Sequence, residues 1–131
     1  MTTTVAITPD DLHAVVAARL DAWDQRIRID VDVDGCRLQL ADDTPHGGPT
    51  RMYVEYVAVP KRLRRGGYGS AVMSALTSWA DRRGVVLRLG ISTEYGMSRR
   101  TLTRFYRRHG LVADRGPGQM VRHPLTTGQE K

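Results

Sequence analysis

A single cysteine, Cys36, is all the sulfur chemistry that this 131-residue chain has beyond its methionines. One cysteine excludes an internal disulfide and a cysteine-based zinc cluster, and it agrees with a reducing compartment. No apolar run approaches the roughly 18 residues that a bilayer span needs. The start, Met-Thr-Thr-Thr, has neither the basic nor the apolar region of a secretion signal, so a cytoplasmic protein without membrane attachment is expected. Aromatic residues are scarce at 6%, which leaves little surface for stacking on bases. With 40% apolar and 26% charged residues and no repeat, the composition is that of an ordinary globular protein. The length fits one domain over residues 1–131, with residues 1–8 and 125–131 expected to be flexible.

The net charge of +6 conceals an asymmetry. Residues 1–50 carry four arginines against nine aspartates, a balance of −5, whereas residues 51–131 carry sixteen Lys plus Arg against five Asp plus Glu, a balance of +11. The basic half implies a polyanionic ligand or partner, because clustered cations raise the local anion concentration.

The patterning predicts an α/β order. Thr8-Pro9-Asp10-Asp11 starts a helix whose core face is Leu12, Val15, Val16, Leu20 and Trp23. Residues 26–34 alternate as a half-buried strand with Ile27, Ile29, Val31 and Val33 inward; Asp34-Gly35 turns the chain, and residues 36–41 return. Residues 51–60 form the next strand, with Tyr53, Glu55 and Val57 expected on one face. A helix over residues 70–83 ends at Gly84. A buried strand over residues 85–91, a helix over 98–108 and short strands at 111–113 and 119–122 complete the chain. Strand–helix–strand units across residues 51–113 imply a partly parallel sheet.

Between strand and helix lies Arg64-Arg65-Gly66-Gly67-Tyr68-Gly69-Ser70. Glycines there allow successive N–H groups to converge, and the following helix adds its dipole and unpaired first-turn donors, a combination that binds phosphate. Lys61, Arg62, Arg64 and Arg65 strengthen that preference. The spacing fits neither a nucleoside-triphosphate loop nor a dinucleotide fingerprint.

This strand, loop and helix resemble the GCN5-related N-acetyltransferase (GNAT) family, whose signature is [Q/R]-x-x-G-x-[G/A]. A second segment, Phe105-Tyr106-Arg107-Arg108-His109-Gly110-Leu111, is similar to the family's F-Y-x-x-x-G-F. The resemblance covers residues 51–113. It implies a GNAT-like α/β fold, a mixed, partly parallel central sheet flanked by helices in a single compact domain. It also implies acetyl-CoA as cosubstrate and an amine acceptor.

Its residue assignments follow from the motif. Backbone groups around Val57, Ala58 and Val59 would pair with the pantetheine arm, and N–H groups of Arg65, Gly66, Gly67, Tyr68, Gly69 and Ser70, with Arg64 beside them, would hold the pyrophosphate. Tyr106 would protonate the departing thiolate. Glu55 and Glu94 are the candidate bases for the amine. Arg99 stands where the family often has an asparagine, six residues before Phe105, and as a cation it would reach a cofactor phosphate or the substrate. His109 is expected to be an exposed cation at the helix end, and Cys36 a thiol in the hairpin core. The short final segment suggests a substrate wall left open or completed by a second subunit, a homodimer. Two other readings remain at this stage: a GNAT-like enzyme that modifies or binds nucleic acid, as in phage base modification, and a non-catalytic module that binds coenzyme A. No metal site is expected.

Overall fold

The computed structural model describes residues 7–22, 28–92 and 97–125. Trp23, Ile27 and Glu94 lie outside the described residues. The elements run α1 (Pro9–Asp21), β1 (Arg28–Val33), β2 (Cys36–Asp42), β3 (Arg51–Ala58), α2 (Tyr68–Arg83), β4 (Val86–Gly90), α3 (Arg99–Arg108), β5 (Val112–Ala113) and β6 (Gln119–Arg122), with a 3-10 turn at Lys61–Leu63. They build a six-stranded sheet in the order β1-β2-β3-β4-β6-β5. All neighbours are antiparallel except β3 and β4, joined by the α2 crossover. The sheet is therefore mixed, as expected, with the parallel pair at its centre. Residues 112–113 do not sit beside β4, because β6 inserts between them.

Local chemistry explains where the helices start and stop. At α1 the Thr8 hydroxyl accepts from the Asp11 N–H at 3.1 Å while the Asp11 carboxylate accepts from the Thr8 N–H at 3.3 Å, a reciprocal cap, and Pro9 takes the position that needs no donor. At α3 the Ser98 hydroxyl caps the helix by accepting from the Thr101 N–H at 3.1 Å. Leu12, Val16 and Leu20 of α1 are fully buried, but Val15, expected inward, is 37% exposed, so the apolar stripe is one residue wide. α2 is buried on several sides, through Val72, Met73, Leu76, Trp79 and Ala80, because it lies between the sheet and α1. Leu38 and Leu40 of β2, Met52 of β3 and Leu87 and Leu89 of β4 belong to the same buried core. Cys36 is a buried member of this core, and burial, aided by the charge of Asp34, pushes its thiol pKa up.

Among the described residues the polar exception in the core is Arg122, 8% exposed. Its guanidinium holds both carboxylate oxygens of Asp81 on α2 at 2.8 and 3.0 Å, and its Nε donates to the His109 carbonyl at the end of α3, 3.0 Å away. One side chain thus ties β6, α2 and α3 together. Gly110, at φ +89°, is required beside it: a Cβ there would lie 2.9 Å from Arg122 Nε.

The pair generates a stability prediction. Desolvation pushes the Asp81 carboxyl up, but its bonds from Arg122 and the Leu125 N–H outweigh that and hold it below the usual carboxylate range. Its folded pKa is depressed, so its contribution is complete above the unfolded value of about 3.9 and fades as pH falls through the folded value. Asp81→Ala should cost on the order of 3–5 kcal/mol in urea unfolding at pH 7, because it strands a buried cation, and Asp81→Ala with Arg122→Met should recover most of that loss. Equal losses in the single and double variants would contradict the role given to the stranded charge.

Candidate functional site

The site begins with a fault in the sheet. β3 and β4 pair in parallel from Arg51 with Val86 to Val54 with Leu89, and there the pairing ends. β3 continues along β2 to Ala58, but Gln39 faces Tyr56 while Leu40 faces Val54, so Glu55 is an extra residue, a β-bulge. The bulge changes which side chains point inward. Met52 and Val54 are buried before it, and Val57 and Val59 pack against the core after it. The single face expected for Tyr53, Glu55 and Val57 is therefore broken, since strict alternation carries no sign of an inserted residue. Past Val54, the β4-side edge of β3 has no strand neighbour among the described residues, and its backbone groups open into a cleft.

A cavity of about 840 Å³ fills that cleft. Val57, Ala58 and Val59 form one wall, Leu89, Gly90 and Ser92 the other. Arg64, Arg65, Gly67, Gly69 and Ser70 close one end, and Leu102, Phe105 and Tyr106 of α3 cover it. Most of the residues expected to bind a cofactor therefore surround one space. Gly66, Tyr68 and Arg99 are not part of its lining. The Tyr68 hydroxyl donates instead to the Ile7 carbonyl at 2.6 Å and ties the segment before α1 to the loop.

The loop has the backbone of an anion cradle. Gly67, at φ +87°, is the N-cap of α2, and Arg65 takes φ +70°, a left-handed conformation that costs an arginine about 1–2 kcal/mol. No side chain caps α2 and no acid occupies its first turn, so the first N–H groups of a 16-residue helix are left for a ligand at the positive end of its dipole. The Nε of Arg64 donates to the Val59 carbonyl at 3.1 Å, which fixes the guanidinium at the cavity mouth. Lys61, Arg104 and Arg108 add further positive charge to the lining.

Tyr106 is half-buried and edge-on to Phe105, with ring centroids 5.2 Å apart. Its hydroxyl has no hydrogen-bond partner among the described residues, and burial pushes its pKa up, so the phenol keeps its proton at neutral pH. Phe105 sets the distance between α3 and the loop, since a Cβ on Gly69 would lie 3.3 Å from its ring. Glu55 lines the same cavity, but its carboxylate accepts from Arg28 at 3.1 Å. Arg99 lies against Gly118 on the turn before β6. His109 departs from expectation. It is half-buried against Phe105, ring centroids 5.0 Å apart, and burial, helped by Arg108 and Arg122, pushes its pKa down. Its ring is therefore neutral near pH 7, not a cation.

Sequence reasoning missed the α3 residues Leu102, Arg104 and Arg108 as cavity lining, although their helical spacing around Phe105 and Tyr106 was a usable signal. It also missed the β4 wall, since an apolar strand does not reveal where its partner leaves it. Among the described residues, no group of three or more His, Cys, Asp or Glu could hold a metal ion, and no helix is long and apolar enough to cross a membrane.

Comparison with known proteins agrees with this geometry. The profile of the acetyltransferase (GNAT) family matches residues 27–111. No curated protein sequence matches the chain. Among solved structures, Ard1 from Thermoplasma volcanium is similar at a TM-score of 0.53 and 22% identity, over 86% of this chain and 79% of that one. Tetrahymena GCN5 gives 0.53 and 11%, over 89% and 86%. Naa50 of Arabidopsis thaliana, solved with the bisubstrate analogue CoA-Ac-MVNAL, gives 0.50 and 15%, over 66% of this chain and 62% of that one, so this chain spans less than two thirds of its length. At these identities the likeness is one of fold.

The contact between Gly69 and Phe105 is directly testable. Gly69→Val adds branches beyond a Cβ already 3.3 Å from the ring, and urea unfolding should show it about 1–3 kcal/mol less stable than Gly69→Ala. Equal stability of the two variants would mean that α3 is free to move away from the loop.

Proposed function

Because the chain belongs to the acetyltransferase (GNAT) family, we propose that it moves an acetyl group from acetyl-CoA to a primary amine of a small molecule or protein, with Tyr106 as general acid. The observation that carries this reading is the union, in one cavity, of an uncapped helix N-terminus and a half-buried tyrosine whose hydroxyl has no hydrogen-bond partner among the described residues. The cosubstrate fits the residues present. Its pyrophosphate matches the N–H groups of Gly67, Gly69 and Ser70 and the cations Arg64 and Arg65, and its amide-bearing arm matches the unpaired edge of β3 at Val57 and Ala58.

Acetyl-CoA supplies an activated carbonyl and a thiolate leaving group. The chain's part is to hold that carbonyl beside the β3 edge, so that backbone N–H groups stabilise negative charge on its oxygen while the amine nitrogen attacks. As the new C–N bond forms and the C–S bond breaks, the Tyr106 hydroxyl gives its proton to sulfur. Tyr106 is reprotonated by solvent, and the amine's surplus proton leaves to Glu55 or Glu94, directly or through water. Glu55 would act as base only on releasing Arg28. Arg99 stays a candidate contact for a cofactor phosphate or the substrate, and the N–H groups of Gly66 and Tyr68 stay candidates for the pyrophosphate, although that of Gly66 donates to the Leu63 carbonyl at 3.4 Å.

Acetyl-CoA at about 100 times its dissociation constant should stabilise the protein by roughly 2.7 kcal/mol in thermal unfolding. Tyr106→Phe should keep that stabilisation while kcat for thiol release falls by about 10²–10⁴-fold with little change in KM. An unchanged kcat removes Tyr106 as the acid. Stabilisation without thiol release across amines, peptides and oligonucleotides would leave a module that only binds.

A further inference from the structure

The outward face of α3 carries more positive charge than the cavity uses. At 3.6 residues per turn, Arg100, Arg104 and Arg107 fall within about 60° of one another and about 180° from the midpoint of Phe105 and Tyr106, which face the core. All three are exposed. They form a stripe about 10 Å long. None has an acidic partner among the described residues, and neither do Arg99, Arg108, Lys61, Arg64 or Arg65 near the same rim. Among the described residues most acids are held elsewhere: Asp30 and Asp32 hold Arg37, Asp43 holds Arg51 and Arg88, Asp21 holds Arg82 and Arg83, and Glu55, at the cavity, holds Arg28.

This arrangement works against the helix that carries it. Arg99 and Arg100 occupy the first turn, where the dipole favours acids, and no acid is there. Arg100 with Arg104, and Arg104 with Arg107 and Arg108, are like charges at spacings that repel. Arg104 and Arg108 also reach the cavity, where phosphates would relieve them, but Arg100 and Arg107 do not. Those two therefore remain open to a second polyanion.

We propose that the outer face of α3 docks double-stranded DNA through its phosphate backbone, independently of acetyl transfer. Arginine forks match phosphate oxygens bidentately. The face, flanked by Thr103, offers no apolar or aromatic side chain that would form the core of a protein interface, enter a bilayer or stack on unpaired bases. An exposed helix suits the wide major groove of B-form DNA, whereas the major groove of A-form RNA is too narrow to admit side chains.

Fluorescence anisotropy with a labelled DNA duplex of about 20 base pairs, between 50 and 200 mM KCl, tests this. Contacts to three or four phosphates predict that log K falls against log salt with a slope of about −3. Arg100→Gln with Arg107→Gln should reduce the magnitude of that slope by about 2 and weaken binding at least about tenfold at 100 mM KCl. Stabilisation by acetyl-CoA should be unchanged in that variant, which shows its fold and cavity to be intact. The proposal is overturned by no binding at 50 mM KCl, by an unchanged slope in the double variant, or by binding of polyglutamate, anionic vesicles or an RNA duplex as tight as that of DNA.

Discussion

Everything that makes this domain more than a packed sheet depends on β3 and β4 parting after Val54. Their parallel ladder ends there, and the bulge at Glu55 lets β3 stay with β2 while turning away from β4. A parallel pair that ran its full length would bury the backbone edge now facing the cavity and close the 840 Å³ space. The parting also decides what lies beside that space. The chain leaving β3 becomes the loop that opens α2, and the chain leaving β4 leads on to α3, so the start of α2 and Tyr106 both line one opening.

An open sheet is a weak frame, and the molecule braces it at its far ends. Arg122 gathers β6, α2 and the end of α3 with one guanidinium, and Tyr68 ties the start of α1 to the loop. Both braces lie outside the cavity lining. Apolar burial from Leu12 through Trp79 to Met120 holds the layers together. Without burying a residue of its own, α3 is held by Phe105 and Tyr106 at one face and by the Arg122 bond at its end. That light attachment suits an element that covers a binding cleft.

Much of this was legible in the sequence because local chemistry decided it. Thr8-Pro9, Asp34-Gly35 and Gly84 each mark a backbone event that few other residues would allow, and the helix and strand periods around them were strong. The glycine turn that opens α2 was legible for the same reason. What the sequence concealed is what depends on partners distant along the chain. A bulge shifts a strand's facing without changing its letters, so the face of Glu55 was misjudged. The ion pair that holds Glu55 joins residues 28 and 55, and the neutral state of His109 follows from burial against Phe105 and the nearness of Arg122. Arg122 itself reads as a polar strand residue near the chain's end, and only the fold reveals it as a buried clamp.

The central claim is that the parted strands, the loop and Tyr106 form one site for coenzyme A, and a titration of ¹⁵N-labelled protein with coenzyme A tests it most directly. The account predicts that amide signals of Val57, Gly67, Gly69, Ser70 and Tyr106 shift together along one binding curve, while those of Arg51, Arg88 and Val121, at the separate small pocket near β6, stay in place. Shifts gathered around Arg88 and Val121, with the loop and Tyr106 unmoved, would contradict it.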